Sequence, residues 1–321
     1  FEDIIEHTVS PNLRYHLLAF NKLSRSIPKP IRYRLFARQV DALVSKLAPD
    51  VVLVNLYRAY EIFLYSKLAT QGMAVNFVLH NYLSSKLDWQ NLSSKKQQHY
   101  QRVFTRYPTI AVSYGMAQDF KNLFGENVPL TTIHNPINQP EIARLATAFV
   151  PDLAQGYIVH VGSFKPQKNH ALLLQAYAQS SRRYPLVLVG KGVLEAQIRT
   201  QIAKLGLQDE VILVGFHPNP YPFIKQARGL VLSSNFEGFA LVLAEALALG
   251  VPAISTDCPS GPSEILPAHH LVPVGDRAAL TAKLNALMDN PADFVAPFNP
   301  QFLPENVARQ YVDFADATRQ L

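Results

Sequence analysis

Residues 229 to 256 read GLVLSSNFEGFALVLAEALALGVPAIST, and this stretch decides the fold. An apolar run leads into a polar loop, an apolar segment of helix length follows, and a second β-rich run ends the stretch. Gly238 marks the helix start and Gly250 followed by Pro252 marks its end, so a helix over 239–249 is expected. The stretch therefore predicts strand, loop, helix and strand, which is typical of a parallel sheet with crossover helices.

The same alternation of short apolar runs and helix-length segments extends from residue 41 onward. A parallel return between strands requires a crossover, so the pattern predicts an α/β protein with doubly wound sheets. The predicted strands are 51–55, 75–79, 109–113, 130–133, 157–161, 186–189, 211–214, 230–233, 253–255 and 270–272. The predicted helices include 31–47, 59–71, 170–180, 194–205, 221–226, 241–249, 278–288 and 305–321, where the alternation starts the helix before Gly250 at Leu241 and the glycine break starts it at Phe239.

The chain length predicts two domains, because 321 residues exceed what one hydrophobic core usually organises. We expect the boundary near 137–156, after Asn135-Pro136 and before the strand at Tyr157. This gives one Rossmann-like domain over 1–140 and a second over 141–300. A last helical segment over 301–321 could pack on the second domain or cross back to pack on the first.

Composition limits the classes of protein that fit. Hydrophobic residues make up 48% and charged residues 17%, which suits a packed soluble protein. The sequence contains neither an apolar run of about 18 residues nor a signal-peptide pattern. Its single cysteine, Cys258, excludes an intramolecular disulfide and a multi-cysteine metal site. We therefore expect a cytoplasmic protein.

The positive charge lies in the first half of the chain. Residues 1–150 hold 17 Lys and Arg against 10 Asp and Glu, whereas 151–321 hold 13 against 14. Basic and apolar residues interleave over 14–38, which suits contact with an anionic membrane on its inner, cytoplasmic face or with a phosphorylated acceptor. A solvated helix face explains the stretch equally well, and nucleic acid is a weaker third option because no RRM, KH or zinc-finger signature occurs.

Two strand-to-helix turns are candidate ligand sites. The helix after Gly238 would direct unpaired N–H groups to the carboxyl end of a strand, where anions bind. Glu237 and Glu245 are separated by about 12 Å of helical rise, so they could bracket an elongated ligand, or they could be one loop and one surface carboxylate. In the second turn, Lys165 and Lys168 precede a helix that Asn169 is placed to cap. Two lysines at a helix start favour a bound diphosphate, although a solvated loop fits as well.

Several motifs in order then resemble the retaining glycosyltransferases of family 4, which have the GT-B fold. They are NFEGFALVLAEALALGVPAISTDCPSGPSEIL (235–266) with its Glu-x7-Glu unit, HVGSFKPQKN (160–169), LVGKG (188–192) and VILVGF (211–216). Looser similarity extends to APDVVLV (48–54), VLHN (78–81), AVS (111–113) and HNPIN (134–138). Residues 257–262 resemble versions from bacterial surface-polysaccharide and lipopolysaccharide enzymes.

The resemblance implies a role for each matching residue. A sugar nucleotide, by default UDP-linked and carrying a hexose or N-acetylhexosamine, would be held mainly by the second domain, and the first would face a glycan or lipid-linked acceptor. The implied catalytic residues are Glu237 at the donor sugar hydroxyls, Lys168 at the departing diphosphate and His80 facing the sugar. The implied donor-binding residues are Gly162, Ser163, Lys165, Phe216, His217, Gly238, Phe239, Ala240, Leu241 and Glu245, with Glu245 at the ribose and the backbone of Phe216 and His217 at the base.

The sequence departs from the family pattern in two places. Ser163 stands where an arginine is common, and Lys165 could replace that diphosphate donor. The first strand and glycine-rich loop of the N-terminal domain have no counterpart, so we expect that domain to be incomplete. His80 could instead be an ordinary core or capped histidine.

Competing functions leave weaker signals. Asp-x-Asp does not occur, so we expect neither a metal nor another cofactor in the reaction. The Gly190-Lys191-Gly192 stretch lacks the third glycine of a dinucleotide fingerprint, and P-loop and G-x-S-x-G motifs do not occur. A sugar-nucleotide epimerase of the same fold and a two-lobed solute-binding protein stay open as alternatives.

Overall fold

A computed structural model of the chain describes residues 16, 18, 27–153 and 156–319. Its contacts divide the chain into two compact units, Phe1–Val75 and Asn76–Leu321. Both predicted sheets have counterparts, and the expected α/β architecture is confirmed. The assignment of domains to 1–140 and 141–300 stays a prediction.

The first unit contains helix α1 (Lys29–Leu47), strand β1 (Val52–Asn55) and helix α2 (Tyr57–Phe63). Pro28 and Pro30 fix the start of α1, since proline is tolerated only in the first turn. Tyr33 and Ala37 of α1 pack on Ile62 of α2 in a small apolar cluster, which holds the two helices together.

The predicted helix over 59–71 is wrong in its second half. α2 ends at Phe63, and a short 3₁₀ turn over Ala69–Gln71 follows. Between them, the Ser66 hydroxyl and the Lys67 N–H donate to the Asp41 carboxylate at 2.6 and 3.0 Å. These side-chain bonds to a residue distant in sequence replace the helical ones, which the local pattern could not reveal.

The second unit begins with a parallel arrangement of β2 (Val75–Leu79), β3 (Thr109–Ala111) and β4 (Leu130–Thr132). Four helices lie along this part of the chain: α3 (Leu83–Leu87), α4 (Ser94–Phe104), α5 (Tyr114–Phe124) and α6 (Gln139–Leu145). β2 is buried throughout and apolar except at Asn76, and such strands are typical of parallel sheets covered on both faces.

The remainder of the unit forms a six-stranded parallel sheet in the order β10-β9-β8-β5-β6-β7. Its strands are β5 (Ile158–Val161), β6 (Leu186–Val189), β7 (Val211–Gly215), β8 (Gly229–Leu232), β9 (Ala253–Thr256) and β10 (Leu271–Val272). The connecting helices are α7 (His170–Ala178), α8 (Glu195–Lys204), α9 (Tyr221–Lys225), α10 (Leu241–Ala248), α11 (Pro262–Ile265) and α12 (Arg277–Asp289), and α13 (Pro304–Arg319) follows.

The order of this sheet reverses between β5 and β8, and that reversal positions the candidate site. Ile158 pairs with Leu186 of β6 on one side and with Gly229 of β8 on the other. Ligands of doubly wound sheets bind beyond the carboxyl ends of the strands at such a switch point. A Cβ at Gly229 would lie 2.7 Å from Leu287 of α12, so this glycine allows the helix to pack directly on the sheet.

The helices within 27–153 and 156–319 include none that is both long and apolar enough to cross a bilayer.

Candidate active site

Two loops follow the neighbouring strands β5 and β8 and are tied together by hydrogen bonds. They cover 162–169 and 233–240. The side-chain amide of Asn169 donates to the Asn235 side-chain oxygen at 2.9 Å, and the Asn235 N–H donates to the Gln167 carbonyl at 2.8 Å. Because the two strands pair in parallel, both loops lie at the same edge of the sheet.

Glu237 lies in the second loop and is only 6% exposed. Its Oε1 accepts from the Lys168 ammonium at 2.6 Å and from the Ser234 hydroxyl at 2.5 Å, and its Oε2 accepts a longer bond of 3.3 Å from Gln167. A carboxylate has about four acceptor positions, so Oε2 keeps capacity for one further hydroxyl donor. The charge is fixed in place and paired, as burial of an ionised group requires.

Lys168 ends a 3₁₀ turn over Pro166–Lys168, and its side chain is 15% exposed. Asn169 accepts from the Leu172 N–H at 3.2 Å, which confirms the predicted cap of α7. The carboxylate of Glu237 offsets the positive charge at this helix start, whereas Lys165 is exposed. An ammonium has three donors, so Lys168 can hold Glu237 and an anion together.

The segment between Gly238 and α10 presents backbone donors. Ala240 is left-handed at φ 60°, so α10 begins at Leu241, which confirms the start of the predicted helix over 241–249, and not at Phe239, where the Gly238 break placed it. Phe239 and Ala240 are buried. Within the part of the chain that the structure describes, neither of their N–H groups donates a hydrogen bond. Buried donors without a protein partner are costly, and an anionic ligand would satisfy them.

Glu245 lies one turn into α10 and is partly buried. Burial raises the pKa of its carboxyl above the ordinary value, and the hydrogen bond from Tyr221 and the charge of Lys168 oppose that shift. The Tyr221 hydroxyl donates to Oε1 at 3.2 Å. The alternative of a fully solvated surface glutamate does not fit, because the side chain is held and partly withdrawn from water.

His80 follows β2, and its backbone approaches the loop over 233–240. A Cβ at Gly238 would lie 2.4 Å from the His80 carbonyl oxygen, so only glycine allows this approach. Burial lowers the pKa of the His80 imidazole, which favours a neutral ring. The structure therefore brings His80 to the segment that contains Glu237.

A pocket of about 320 Å³ lies beside these loops. The residues that line it include Gly162, Ser163, Phe216 and His217. The Phe216 ring is 61% exposed, and the Lys191 ammonium lies 4.7 Å from its centroid. An exposed aromatic ring supported by a cation offers a flat surface on which a planar ring can stack.

Sequence reasoning missed residues that hold the two glutamates. Ser234 stands three residues before Glu237, a serine-glutamate spacing that could have signalled the contact. Tyr221 had no local signal, because it meets Glu245 only through the tertiary fold.

A second cluster was also missed. Glu264 accepts from the N–H groups of Tyr114 and Gly115 at 2.9 Å each, and its Oε2 lies 2.9 Å from His134 Nε2. Burial alone would raise the pKa of the Glu264 carboxyl, but these hydrogen bonds outweigh burial and lower it. The carboxylate thus accepts hydrogen bonds from the first N–H groups of α5, although it lies about 150 residues away in the sequence.

Among residues 27–153 and 156–319, no group of three or more His, Cys, Asp or Glu side chains has the arrangement of a metal site.

Comparison with known proteins identifies the second sheet. Residues 148–299 match the model of the family described as "Glycosyl transferases group 1". An N-acetylgalactosamine-N,N'-diacetylbacillosaminyl-diphospho-undecaprenol 4-alpha-N-acetylgalactosaminyltransferase of Campylobacter jejuni is 36% identical over 41% of this chain and 36% of its own length. The lipopolysaccharide 1,6-galactosyltransferase of Escherichia coli is 27% identical over 61% of this chain and 56% of its own length. The matched part thus spans little more than half of these relatives at most.

Solved structures extend the likeness over most of the chain. HepE of Anabaena in complex with UDP and glucose superposes with a TM-score of 0.72 at 18% identity, covering 88% of this chain and 82% of that one. Sucrose-phosphate synthase of Thermosynechococcus elongatus gives 0.74 at 19% identity, covering 91% and 80%. These likenesses establish the GT-B fold that the sequence predicted.

Proposed function

Residues 148–299 belong to the glycosyl transferases group 1 family, and on that premise we propose that the chain is a retaining glycosyltransferase. It transfers a hexose or N-acetylhexosamine from a UDP-sugar to a glycan or lipid-linked glycan in cell-surface polysaccharide synthesis. Residues 1–140 serve the acceptor and 141–300 bind the donor.

One observation carries this proposal. The unpartnered N–H groups of Phe239 and Ala240 lie in the same short segment as the buried Glu237, which is paired with Lys168. A nucleotide diphosphate supplies anionic oxygens for the backbone donors and for Lys168, while a sugar supplies a hydroxyl for Glu237 Oε2. A single elongated ligand thus matches both sets of groups.

The base, ribose, diphosphate and sugar of such a donor are assigned to successive groups of residues. The pocket at Phe216 and His217 takes the base, and Glu245 accepts from the ribose hydroxyls. Gly162, Ser163, Lys165 and the Leu241 N–H complete the surroundings of the diphosphate, and the neutral His80 faces the sugar. Support for UDP comes from HepE, which was solved with UDP and glucose.

In the reaction, the bond between the sugar C1 and the diphosphate oxygen breaks, and the acceptor hydroxyl oxygen bonds to C1 on the same face. The hydroxyl proton passes to the departing diphosphate. Lys168 and the Phe239 and Ala240 N–H groups stabilise the negative charge that develops there, and preorganised donors of this kind are usually the largest catalytic contribution. We propose that the reaction needs no metal, because the sequence lacks the Asp-x-Asp of metal-dependent transferases.

For the acceptor, the Campylobacter relative is named for an undecaprenol-linked substrate, which supports a lipid-linked glycan here and work at the inner face of a membrane. The basic 14–38 stretch is the proposed contact. Arg14, Lys22 and Arg25 lie outside the described residues, Lys29 pairs with Glu61 at 2.7 Å, and Arg34 and Arg38 are exposed on α1.

The membrane contact is tested by replacing Arg34 and Arg38 with glutamate and measuring sedimentation with phosphatidylglycerol vesicles. Binding should fall at least tenfold, because each basic residue near an anionic surface contributes about 1 kcal/mol. The matched control replaces the exposed Lys95 and Lys96 of α4. Equal losses in both variants, or no loss in either, would reject a specific surface on α1.

The enzymatic proposal is tested by calorimetric titration with UDP, GDP, ADP and NAD, each with and without EDTA. We expect saturable, EDTA-insensitive binding of UDP, followed by release of UDP from a UDP-sugar in a mass-spectrometric screen. Binding of NAD alone, or of none of the four nucleotides, would contradict the proposal.

A further inference from the structure

Two buried serine hydroxyls from distant parts of the chain converge on the carbonyl oxygen of Gly238. Ser113 Oγ lies 2.7 Å from this oxygen, and Ser260 Oγ lies 2.6 Å from it, both within hydrogen-bond distance. The two hydroxyl oxygens are 2.5 Å apart. Ser113 ends the strand-to-helix turn before α5, and Ser260 precedes α11. Three segments therefore meet at one backbone oxygen.

The number of protons determines the direction of these bonds. Ser113 Oγ also accepts from the Met116 N–H at 3.3 Å, as the cap of α5. The two serines have one hydroxyl proton each for three oxygen–oxygen contacts, two to the Gly238 carbonyl and one between the serines. The carbonyl of Gly238 can only accept. Whichever serine donates to the other, the chain of hydrogen bonds ends at that carbonyl, so it is held in both arrangements.

Close backbone packing prevents the carbonyl from turning elsewhere. A Cβ at Gly115 would lie 2.7 Å from the Ser260 Cα, and a Cβ at Gly261 would lie 2.7 Å from the Phe239 carbonyl carbon. A Cβ at Gly238 would strike the His80 carbonyl oxygen at 2.4 Å. Glycine alone fits at these approaches, and they confine the peptide between Gly238 and Phe239.

The orientation of this peptide fixes the direction in which the Phe239 N–H points. In a planar trans peptide the N–H points away from the preceding carbonyl. With the Gly238 oxygen held on the side of the serine pair, the Phe239 N–H points to the opposite side, where the structure gives it no partner among the described residues.

We infer that Ser113 and Ser260 are positioning residues that orient the Phe239 N–H toward the diphosphate of the donor. The inference rests on the proposed function and adds two residues that lie outside the Glu237-x7-Glu245 unit and to which the family resemblance assigned no role. It also ties the turn before α5, in the first sheet, to the geometry of the donor site.

The test compares UDP and UMP, because only the diphosphate should depend on the oriented N–H. Ser260→Ala removes one hydroxyl and leaves the cap of α5 intact. Calorimetry should give a UDP affinity about tenfold weaker, since a hydrogen bond to a charged group is lost or misdirected, and a UMP affinity changed less than twofold. The matched control is Ser180→Ala, whose hydroxyl donates to the Tyr177 carbonyl at 2.7 Å away from the site; it should bind both nucleotides as the unchanged protein does.

Ser113→Ala should show the same selective loss of UDP affinity, together with a lower melting temperature because it also removes a cap. Equal weakening of UDP and UMP, or no weakening, in Ser260→Ala would overturn the positioning role while leaving the proposed function standing. Failure of the unchanged protein to bind any nucleoside diphosphate would overturn both.

Discussion

Two helix starts in the second unit present the same backbone chemistry and use it differently. At α5, Glu264 closes the N–H groups of Tyr114 and Gly115 at 2.9 Å each. Before α10, the N–H groups of Phe239 and Ala240 have no partner among the described residues. A helix start filled by the protein's own carboxylate contributes to stability, whereas an open one next to paired charges is suited to a ligand.

The difference arises from where the nearest carboxylate is directed. Glu264 faces its helix start, and its Oε2 accepts from the Tyr114 N–H and also contacts His134. Glu237, one residue before Gly238, is held by Lys168 and Ser234 instead and leaves the donors before α10 uncovered. Substitutions at the two starts should therefore separate function from stability.

The largest effect is expected from Lys168→Met. Loss of the ammonium removes stabilisation of the departing diphosphate, and turnover of a UDP-sugar should fall about 100-fold. The measurement is the rate of UDP release, with Lys204→Met, an exposed lysine at the end of α8, as the matched control. A rate within threefold of the unchanged protein would exclude Lys168 from catalysis.

Glu264→Ala should act on stability alone. It leaves the N–H groups of Tyr114 and Gly115 and the His134 imidazole without their charged acceptor, and urea unfolding should show a loss of about 1 to 3 kcal/mol. UDP affinity should stay within twofold, by calorimetry under folded conditions. Weaker UDP binding without a loss of stability would mean that the start of α5 is also a ligand site.

Glu245→Ala should weaken UDP binding by about 1 to 3 kcal/mol, because the ribose hydroxyls lose their acceptor. Calorimetry with UDP and free diphosphate distinguishes this role, since diphosphate carries no ribose and its affinity should not fall. An unaltered UDP affinity would reject the assignment.

The smallest effects concern pH. The lowered pKa of Glu264 means that its contribution to stability is present above the pKa of the unfolded chain and is lost as pH falls through the lower folded pKa. Because the pKa of Glu245 is raised, its carboxylate takes up a proton at a higher pH than an ordinary glutamate does. As the pH is lowered, UDP affinity should therefore begin to fall at that higher pH. Unfolding curves and titrations between pH 4 and 8, compared with Glu264→Ala and Glu245→Ala, check the two directions.

The sequence predicted those features that depend on local pattern. Both parallel sheets, the cap at Asn169 and the loops that contain Lys168 and Glu237 follow from apolar runs, glycine breaks and motif order. The contacts of Ser113, Ser260 and Glu264 join residues more than 20 positions apart, and no local spacing encodes them. The alternation of strands and helices placed the start of α10 correctly at Leu241. The glycine break at Gly238 placed it two residues early, because the left-handed backbone at Ala240 has no glycine to signal it.

The most direct test of the comparison is an amide-resolved NMR titration of the protein with UDP. The account predicts the largest downfield shifts at the Phe239 and Ala240 N–H groups, and much smaller ones at Tyr114 and Gly115, whose acceptor is Glu264. Unshifted Phe239 and Ala240 amides in a protein saturated with UDP, or the largest shifts at the start of α5, would contradict it.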